Sequence, residues 1–395
     1  MLSYILKNSL SLPSSTQPAG IYIHIPFCIR KCPYCDFYST IDVSLQSEFL
    51  DALTREMQLT RNDALRFDTL YIGGGTPSVL DAGSIGRIIE STRSQFHILS
   101  NAEITVEVNP GTVNPHKLKD YIDSGVNRIN IGVQSFQDAN LNFLGRLHTG
   151  KSAKLAVKQA QNTGFNNIGL DLVFGLPGQT RTDWLLDLRQ AVELEPAHLS
   201  CYILSYEPET PMDRDRKAGR FQPLPEQRVS DLFETTLAFL SNHGYHQYEI
   251  SNFARSIPGD SEPFRSRHNQ KYWSFVPYIG LGPSAHSFFG KTRYWNHRNT
   301  GKYIKNLEAG RLAVAEKEGL NREQLMMEAI YLGLRQTQGI FIDAFNKQFG
   351  ISFKDTFEEM TTHLEGKGLI RLSQNRCALT SKGMLLLDSI ASMFV

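Results

Sequence analysis

The chain predicts an α/β protein: a partial (β/α)6 barrel followed by a smaller α+β, winged-helix-like C-terminal domain. Three observations carry that prediction. Six apolar, β-branched segments recur, each ending in turn residues, at Ile21–Pro26, Thr69–Gly73, Ile104–Asn109, Arg128–Gln134, Ile168–Phe174 and His198–Ser205. Stretches of helical periodicity lie between them, such as Leu45–Arg61, Ile85–Gln95 and Lys151–Thr163. Strands alternating with helices make parallel βαβ units, and six units leave a barrel open where eight would close it. Beyond about residue 316 the character changes to Leu- and Met-bearing amphipathic helices such as Asn321–Arg335, then two short strand-like runs around Cys377 and a last helix.

Composition bounds the rest. At 395 residues the chain suits one large domain and a smaller one. Its 41 Lys+Arg balance 40 Asp+Glu, so the net charge of +1 offers no basic field for nucleic acid. No apolar run approaches the roughly 20 residues that span a bilayer. Residues 1–19 carry a single Lys and no Arg, and resemble neither a secretory signal nor a transit peptide. They read as a flexible tail of a cytoplasmic protein. The segments that follow read as a barrel over 20–245, a connecting segment over 246–315 and a cap over 316–395.

Chemistry clusters after the strands, as parallel α/β barrels require. After the first strand comes Cys28-Ile-Arg-Lys-Cys32-Pro-Tyr-Cys35. Three thiolates hold three corners of an iron–sulfur cube and leave one iron open to a ligand. Structural zinc wants four ligands, usually in two separated pairs, and Cys201 and Cys377 are distant and isolated. Five cysteines in this length do not make a disulfide scaffold. Gly73-Gly74-Gly75-Thr76-Pro77 follows the second strand, either as a tight turn or as backbone a ligand can approach. Glu107 ends an otherwise apolar third strand and reads alternatively as solvent-facing. Gln134 ends the fourth, Arg146 falls in a helical segment where Arg is usually at the surface, and Asp171 lies in the fifth.

With these residues in view, the chain resembles the radical S-adenosylmethionine (SAM) superfamily. In that superfamily the Cys-x3-Cys-x2-Cys loop holds a 4Fe-4S cluster whose open iron chelates SAM. The resemblance implies cluster ligation by Cys28, Cys32 and Cys35. It also implies SAM contacts from Tyr22, Phe37, Gly74, Gly75, Thr76, Glu107, Gln134, Arg146 and Asp171. Acids, one Arg and amides match a ligand bearing a sulfonium, an ammonium, a carboxylate and ribose hydroxyls.

From Gly20 onward, the motif order resembles the coproporphyrinogen dehydrogenase group of that superfamily, which has an enzyme branch and a haem-chaperone branch. The enzyme pattern carries a further cysteine two positions after the third cluster cysteine; here that position is Phe37. The segment His268-Asn269-Gln-Lys-Tyr272-Trp273 looks like the chaperone signature. An imidazole is able to ligate haem iron, and Tyr and Trp offer flat faces to a porphyrin. A packed corner is the alternative for such a trio. Chaperones of this branch often have a cysteine two residues before the histidine, where this chain has Ser266. His286 and His24 are reserve haem ligands, His24 reading rather as packing beside the cluster loop. The resemblance implies haem as cargo, handed to a haem-accepting respiratory protein; oxygen-independent coproporphyrinogen III dehydrogenase is the alternative. An uncovered cluster iron would also be able to assist a homodimer.

Overall fold

The structure is a computed structural model, and it describes residues 17–256, 259 and 264–394. The expected tail therefore lies almost wholly outside the described residues. Six strands, β1 (Ala19–Ile25), β2 (Arg66–Gly74), β3 (His97–Val108), β4 (Arg128–Gln134), β5 (Ile168–Phe174) and β6 (His198–Ile203), pair in parallel in sequence order. Helices Gln46–Thr60, Ala82–Gln95, Pro115–Asp123, Gly150–Thr163 and Arg181–Glu193 make the crossovers. This is the partial (β/α)6 barrel. Both sides of β1 are covered: Ile21, Ile23 and Ile25 on one face are fully buried, and His24 on the other is buried as well.

Local chemistry sets the helix ends. Asp81 accepts from the Ser84 N–H, and Thr149 and Thr180 each close a capping box. Gly164 ends its helix at φ 111°, the left-handed cap that favours glycine.

The segment read as a connector, 246–315, supplies strands to both sides of the barrel. β7 (Tyr245–Gln247) and β8 (Asn252–Arg255) extend the sheet beyond β6. On the other side β9 (Tyr278–Leu281) runs parallel to β1, and β10 (His286–Phe289), β11 (Thr292–Asn296) and β12 (Val314–Gly319) continue the sheet to twelve strands. The C-terminal domain follows: helix Arg322–Arg335, a three-stranded antiparallel sheet of β13 (Ile340–Phe341), β14 (Ile370–Leu372) and β15 (Arg376–Leu379), and short helices packed through Phe345, Phe349, Phe353, Phe357 and Phe394.

One buried carboxylate locks the β9–β12 extension to the first barrel helix. Glu56 accepts from the Gly282 N–H at 2.8 Å, Asn296 Nδ2 at 2.6 Å and the Tyr303 hydroxyl at 2.6 Å. Burial outweighs these donors and pushes Glu56 up to about 7. The folded state therefore binds a proton more tightly than the unfolded chain, so Glu56 contributes stability below its unfolded pKa that is lost as pH rises through about 7. Buried His24 and His148, both down to about 4, act in the opposite sense. The expected result is therefore a difference: wild type starts more stable than Glu56→Gln, and the gap narrows as denaturation is repeated from acidic to neutral pH. A gap that stays constant would count against the assignment.

Candidate functional site

The residues after the strands do meet. A cavity of about 580 Å³ opens at the carboxyl ends of β1–β6, and Cys28, Cys32, Cys35, Glu107, Arg146 and Asp171 all line it. Gly74, Gly75, Thr76, Gln134 and Phe37 share its wall.

The cysteine loop is anchored at both ends without any ligand: Phe27 bridges Thr40, the Cys28 N–H donates to Thr40 O at 2.9 Å, and the Thr40 N–H donates to Pro26 O at 2.7 Å. Cys28 is buried with its Sγ 3.5 Å from Thr76 Oγ1, while Cys32 and Cys35 are half-buried. Burial pushes the Cys35 thiol up to about 11. Among the described residues no group of three or more His, Cys, Asp or Glu side chains is arranged around a single metal ion.

The glycine triplet is set by its neighbours. A Cβ on Gly74, at φ 111°, would stand 2.7 Å from the His24 ring. One on Gly75 would stand 2.7 Å from Phe27 O and 3.1 Å from Cys28 Sγ. The N–H groups of Gly75 and Thr76 are spent on Ile25 O and Phe27 O, both at 2.8 Å. An ammonium ligand needs acceptors, so those donors are no loss to it.

Glu107 is not a solvent-facing strand residue. Its Oε1 accepts from the Tyr71 hydroxyl at 2.7 Å and its Oε2 from the Gly74 N–H at 3.1 Å. Burial pushes its carboxyl up to about 7, the Asp171 charge adding to the effect. A cationic ligand would restore the ionised form. Asp171 accepts from Asn130 Nδ2 at 2.6 Å, and burial raises its pKa as well. Arg146 corrects the helical expectation: it stands in the turn between helices Asp138–Phe143 and Gly150–Thr163, and its guanidinium donates to Asn109 Oδ1 at 2.5 Å and Gly132 O at 2.7 Å. It also reaches Cys32 Sγ at 3.7 Å. Gln134 takes φ 67°, a left-handed conformation costly for a residue with a side chain.

Tyr22 does not line the cavity; its hydroxyl contacts His24 Nδ1 at 3.0 Å. His24 packs behind the cluster loop, its Nε2 2.8 Å from Tyr38 O. Tyr71, which orients Glu107, was missed by sequence reasoning; its signal was the inward register it shares with Gly73 on β2. Phe37 is 67% exposed at the mouth. His286 stacks on Trp295 at the sheet's far side, ring centroids 5.4 Å apart, away from the cavity.

The His268 segment sits elsewhere. Helix Arg267–Trp273 docks at the amino-terminal ends of the strands, opposite the cysteine loop. The His268 and Arg267 N–H groups donate to Glu103 near the start of the paired part of β3, and the Arg267 and Lys271 side chains pair with Asp68. His268 is 1% exposed, and both ring nitrogens are engaged: Nδ1 with Thr69 Oγ1 and Nε2 with the Tyr272 hydroxyl, each at 2.8 Å. Burial, aided by the Lys271 charge, brings its pKa down to about 3. The packed-corner alternative describes His268 in this structure. Of the motif, Asn269 reaches the cavity wall, with Ser266 beside it. Trp273 packs against Tyr248 and under the Arg335 guanidinium.

The donor set fits a cluster and SAM. Three thiols face one end of the cavity, and beside them stand a raised carboxylate, amides and one Arg already directed at a sulfur. When bound, a 4Fe-4S cluster supplies one-electron chemistry and an open iron. The fold and site together define a protein of the radical SAM class, and residues 22–191 match the Radical SAM superfamily while 320–386 match the HemN C-terminal domain. Heme chaperone HemW of Bacillus subtilis is 34% identical over 95% of this chain and 98% of its own length. Heme chaperone HemW of Escherichia coli is 41% identical over 68% of this chain and 70% of its own. The solved coproporphyrinogen III oxidase (HemN) from Escherichia coli superposes with a TM-score of 0.84 at 25% identity, covering 99% of this chain and 93% of that one. The chain belongs to the HemW family within the radical SAM superfamily.

Proposed function

We infer that this protein is a haem chaperone that holds a 4Fe-4S cluster on Cys28, Cys32 and Cys35 and SAM beside it. The observation that carries the reading is similarity to proteins named heme chaperone over nearly the whole length, both domains included. SAM contacts fall to Gly74, Gly75, Thr76, Glu107, Gln134, Arg146 and Asp171, with Phe37 at the mouth and Tyr22 acting through His24. The segment His268, Asn269, Tyr272 and Trp273 takes part in haem capture. Asn269 meets the ligand from the cavity wall, and His268 reaches iron only when its bond to Thr69 or Tyr272 opens. Haem then passes to an acceptor protein in the cytoplasm, a setting in keeping with five free cysteines; no helix among the described residues is long and apolar enough to cross a membrane.

Anaerobic reconstitution followed by haemin titration tests this. A saturable Soret shift is expected in wild type, weakened in both Asn269→Ala and His268→Ala. Because His268 is structural as well, Asn269→Ala is the cleaner variant. No saturable binding in wild type would sink the reading. The superposition on HemN favours one second reading, coproporphyrinogen oxidation. Rescue of anaerobic haem synthesis in a strain lacking that enzyme would establish it, and Phe37 is the residue that speaks against it.

A further inference from the structure

Alternate residues of β4 line the cavity from bottom to top: Arg128, Asn130, Gly132 and Gln134. At about 3.3 Å per residue, Arg128 lies roughly 20 Å of strand below Gln134, at the end remote from the cysteines. There the cavity floor holds an arrangement the cluster and SAM readings do not use.

Arg128 is 2% exposed. Its Nη1 donates to Asn167 Oδ1 at 2.8 Å, and its buried Nε has no hydrogen-bond partner. Among the described residues no carboxylate forms an ion pair with it. His198, 1% exposed, begins β6 and also lines the floor. Its Nε2 lies 2.7 Å from the Tyr248 hydroxyl, which accepts from the Ser266 N–H at 3.2 Å. With the ring held neutral by burial and by the Arg128 charge, the assignment that satisfies all three groups has Tyr248 donating to Nε2. The His198 proton then sits on Nδ1, which is buried and unpartnered. Gly169, paired with both Asn130 and His198, makes the room: a Cβ there would meet Asn130 Oδ1 at 2.3 Å and Arg128 Nη2 at 3.4 Å.

Two buried N–H donors without acceptors, one on a guanidinium that feels the Asp171 charge but makes no ion pair with it, are costly to keep in a folded protein. Both side chains line the cavity, and an oxyanion set between them would offer each donor the acceptor it lacks. We propose that Arg128 and His198 form a carboxylate-binding subsite at the floor of the cavity, and that it takes a propionate arm of the haem. The subsite itself stands on geometry; naming haem as the source of the carboxylate rests on the chaperone reading. A free small carboxylic acid offers the same chemistry.

The test uses the full, reconstituted chain with three probes: haemin, its dimethyl ester, and sodium propionate. A charge-assisted hydrogen bond predicts that wild type prefers haemin over the ester by about tenfold or more. In Arg128→Gln that preference is expected to fall to about onefold while ester affinity stays the same, and in Arg128→Lys to fall part way. Propionate is expected to raise the thermal midpoint of wild type, against sodium chloride at equal ionic strength, and not that of Arg128→Gln. Should the Gln variant fail to fold, the wild-type acid-to-ester ratio and Arg128→Lys decide. Equal affinity for acid and ester overturns the haem assignment, and propionate protection alongside it would give the subsite to a free acid. No protection and no acid preference overturns the subsite. Absence of any haemin binding would instead strike the chaperone reading, leaving the propionate arm to judge the subsite.

Discussion

Replacing any one of Cys28, Cys32 or Cys35 by serine is expected to abolish the cluster, read as loss of the broad visible absorption and of bound iron after anaerobic reconstitution. The size of the effect follows from ligand count. In the proposed site three protein thiolates hold the cluster, so removing one would leave two corners bare, and hard serine oxygen is a poor substitute for soft thiolate. The fold should survive the change. The Phe27–Thr40 bridge and the two backbone hydrogen bonds beside it close the loop on protein contacts alone, so far-ultraviolet circular dichroism is expected to be unchanged. The control lies in the other two cysteines, both fully buried, Cys201 on β6 and Cys377 on β15. Cys201→Ser and Cys377→Ser are expected to keep the cluster. Retention of full iron in any of the three loop variants would contradict the ligand assignment.

How far the sequence revealed this can be argued from particular residues. Arg128–Gln134 and Ile168–Phe174 coincide with β4 and β5 because a buried parallel strand is a near-continuous apolar run bounded by turn residues. The convergence of Cys28, Glu107, Gln134 and Asp171 followed from one rule, that every parallel strand presents its carboxyl end to the same side. That rule says nothing of a segment outside the repeat. Helix Arg267–Trp273 comes after the barrel in sequence, and only pairing with Asp68 and Glu103 places it under the barrel rather than over it. For the same reason nothing in the sequence of β9 marks it as the neighbour of β1. Arg146 was obscured by a short interruption: the turn Leu144–Thr149 between two helices leaves little mark on a helical pattern. Tyr71 shows a third limit. Its part in holding Glu107 is a cross-strand contact, and one strand's sequence does not state which side chain of the next it meets.

The second large effect concerns how the C-terminal domain holds the sheet edge at β7 and β8. Arg335, at the end of helix Arg322–Arg335, places its Nε 2.8 Å from Glu249 Oε2, and Glu249 is fully buried between β7 and β8. Glu249 also accepts from the Ser251 N–H and from Asn252 Nδ2, both at 2.7 Å. Burial raises its pKa, and the Arg335 charge, followed by the Ser251 and Asn252 hydrogen bonds, offsets part of that rise and favours the ionised carboxylate. Arg335→Leu is expected to cost about 3–5 kcal/mol in urea denaturation at neutral pH, because it leaves an uncompensated buried charge. The cost should shrink as pH falls, since protonation then neutralises Glu249 instead. Glu249→Gln combined with Arg335→Leu is expected to recover part of the loss, the mark of a coupled pair. A double variant no more stable than the sum of the singles would mean that Arg335 acts through packing alone. The consequence reaches the His268 segment as well: Arg335 lies over the Trp273 ring at 5.8 Å, and Gln336 Nε2 donates to Trp273 O at 3.0 Å. The C-terminal domain thus clamps helix Arg267–Trp273 from below. Any movement that frees a His268 nitrogen has to work against that clamp, so Arg335→Leu should loosen the helix before it unfolds the barrel, detectable as faster hydrogen exchange in residues 267–273.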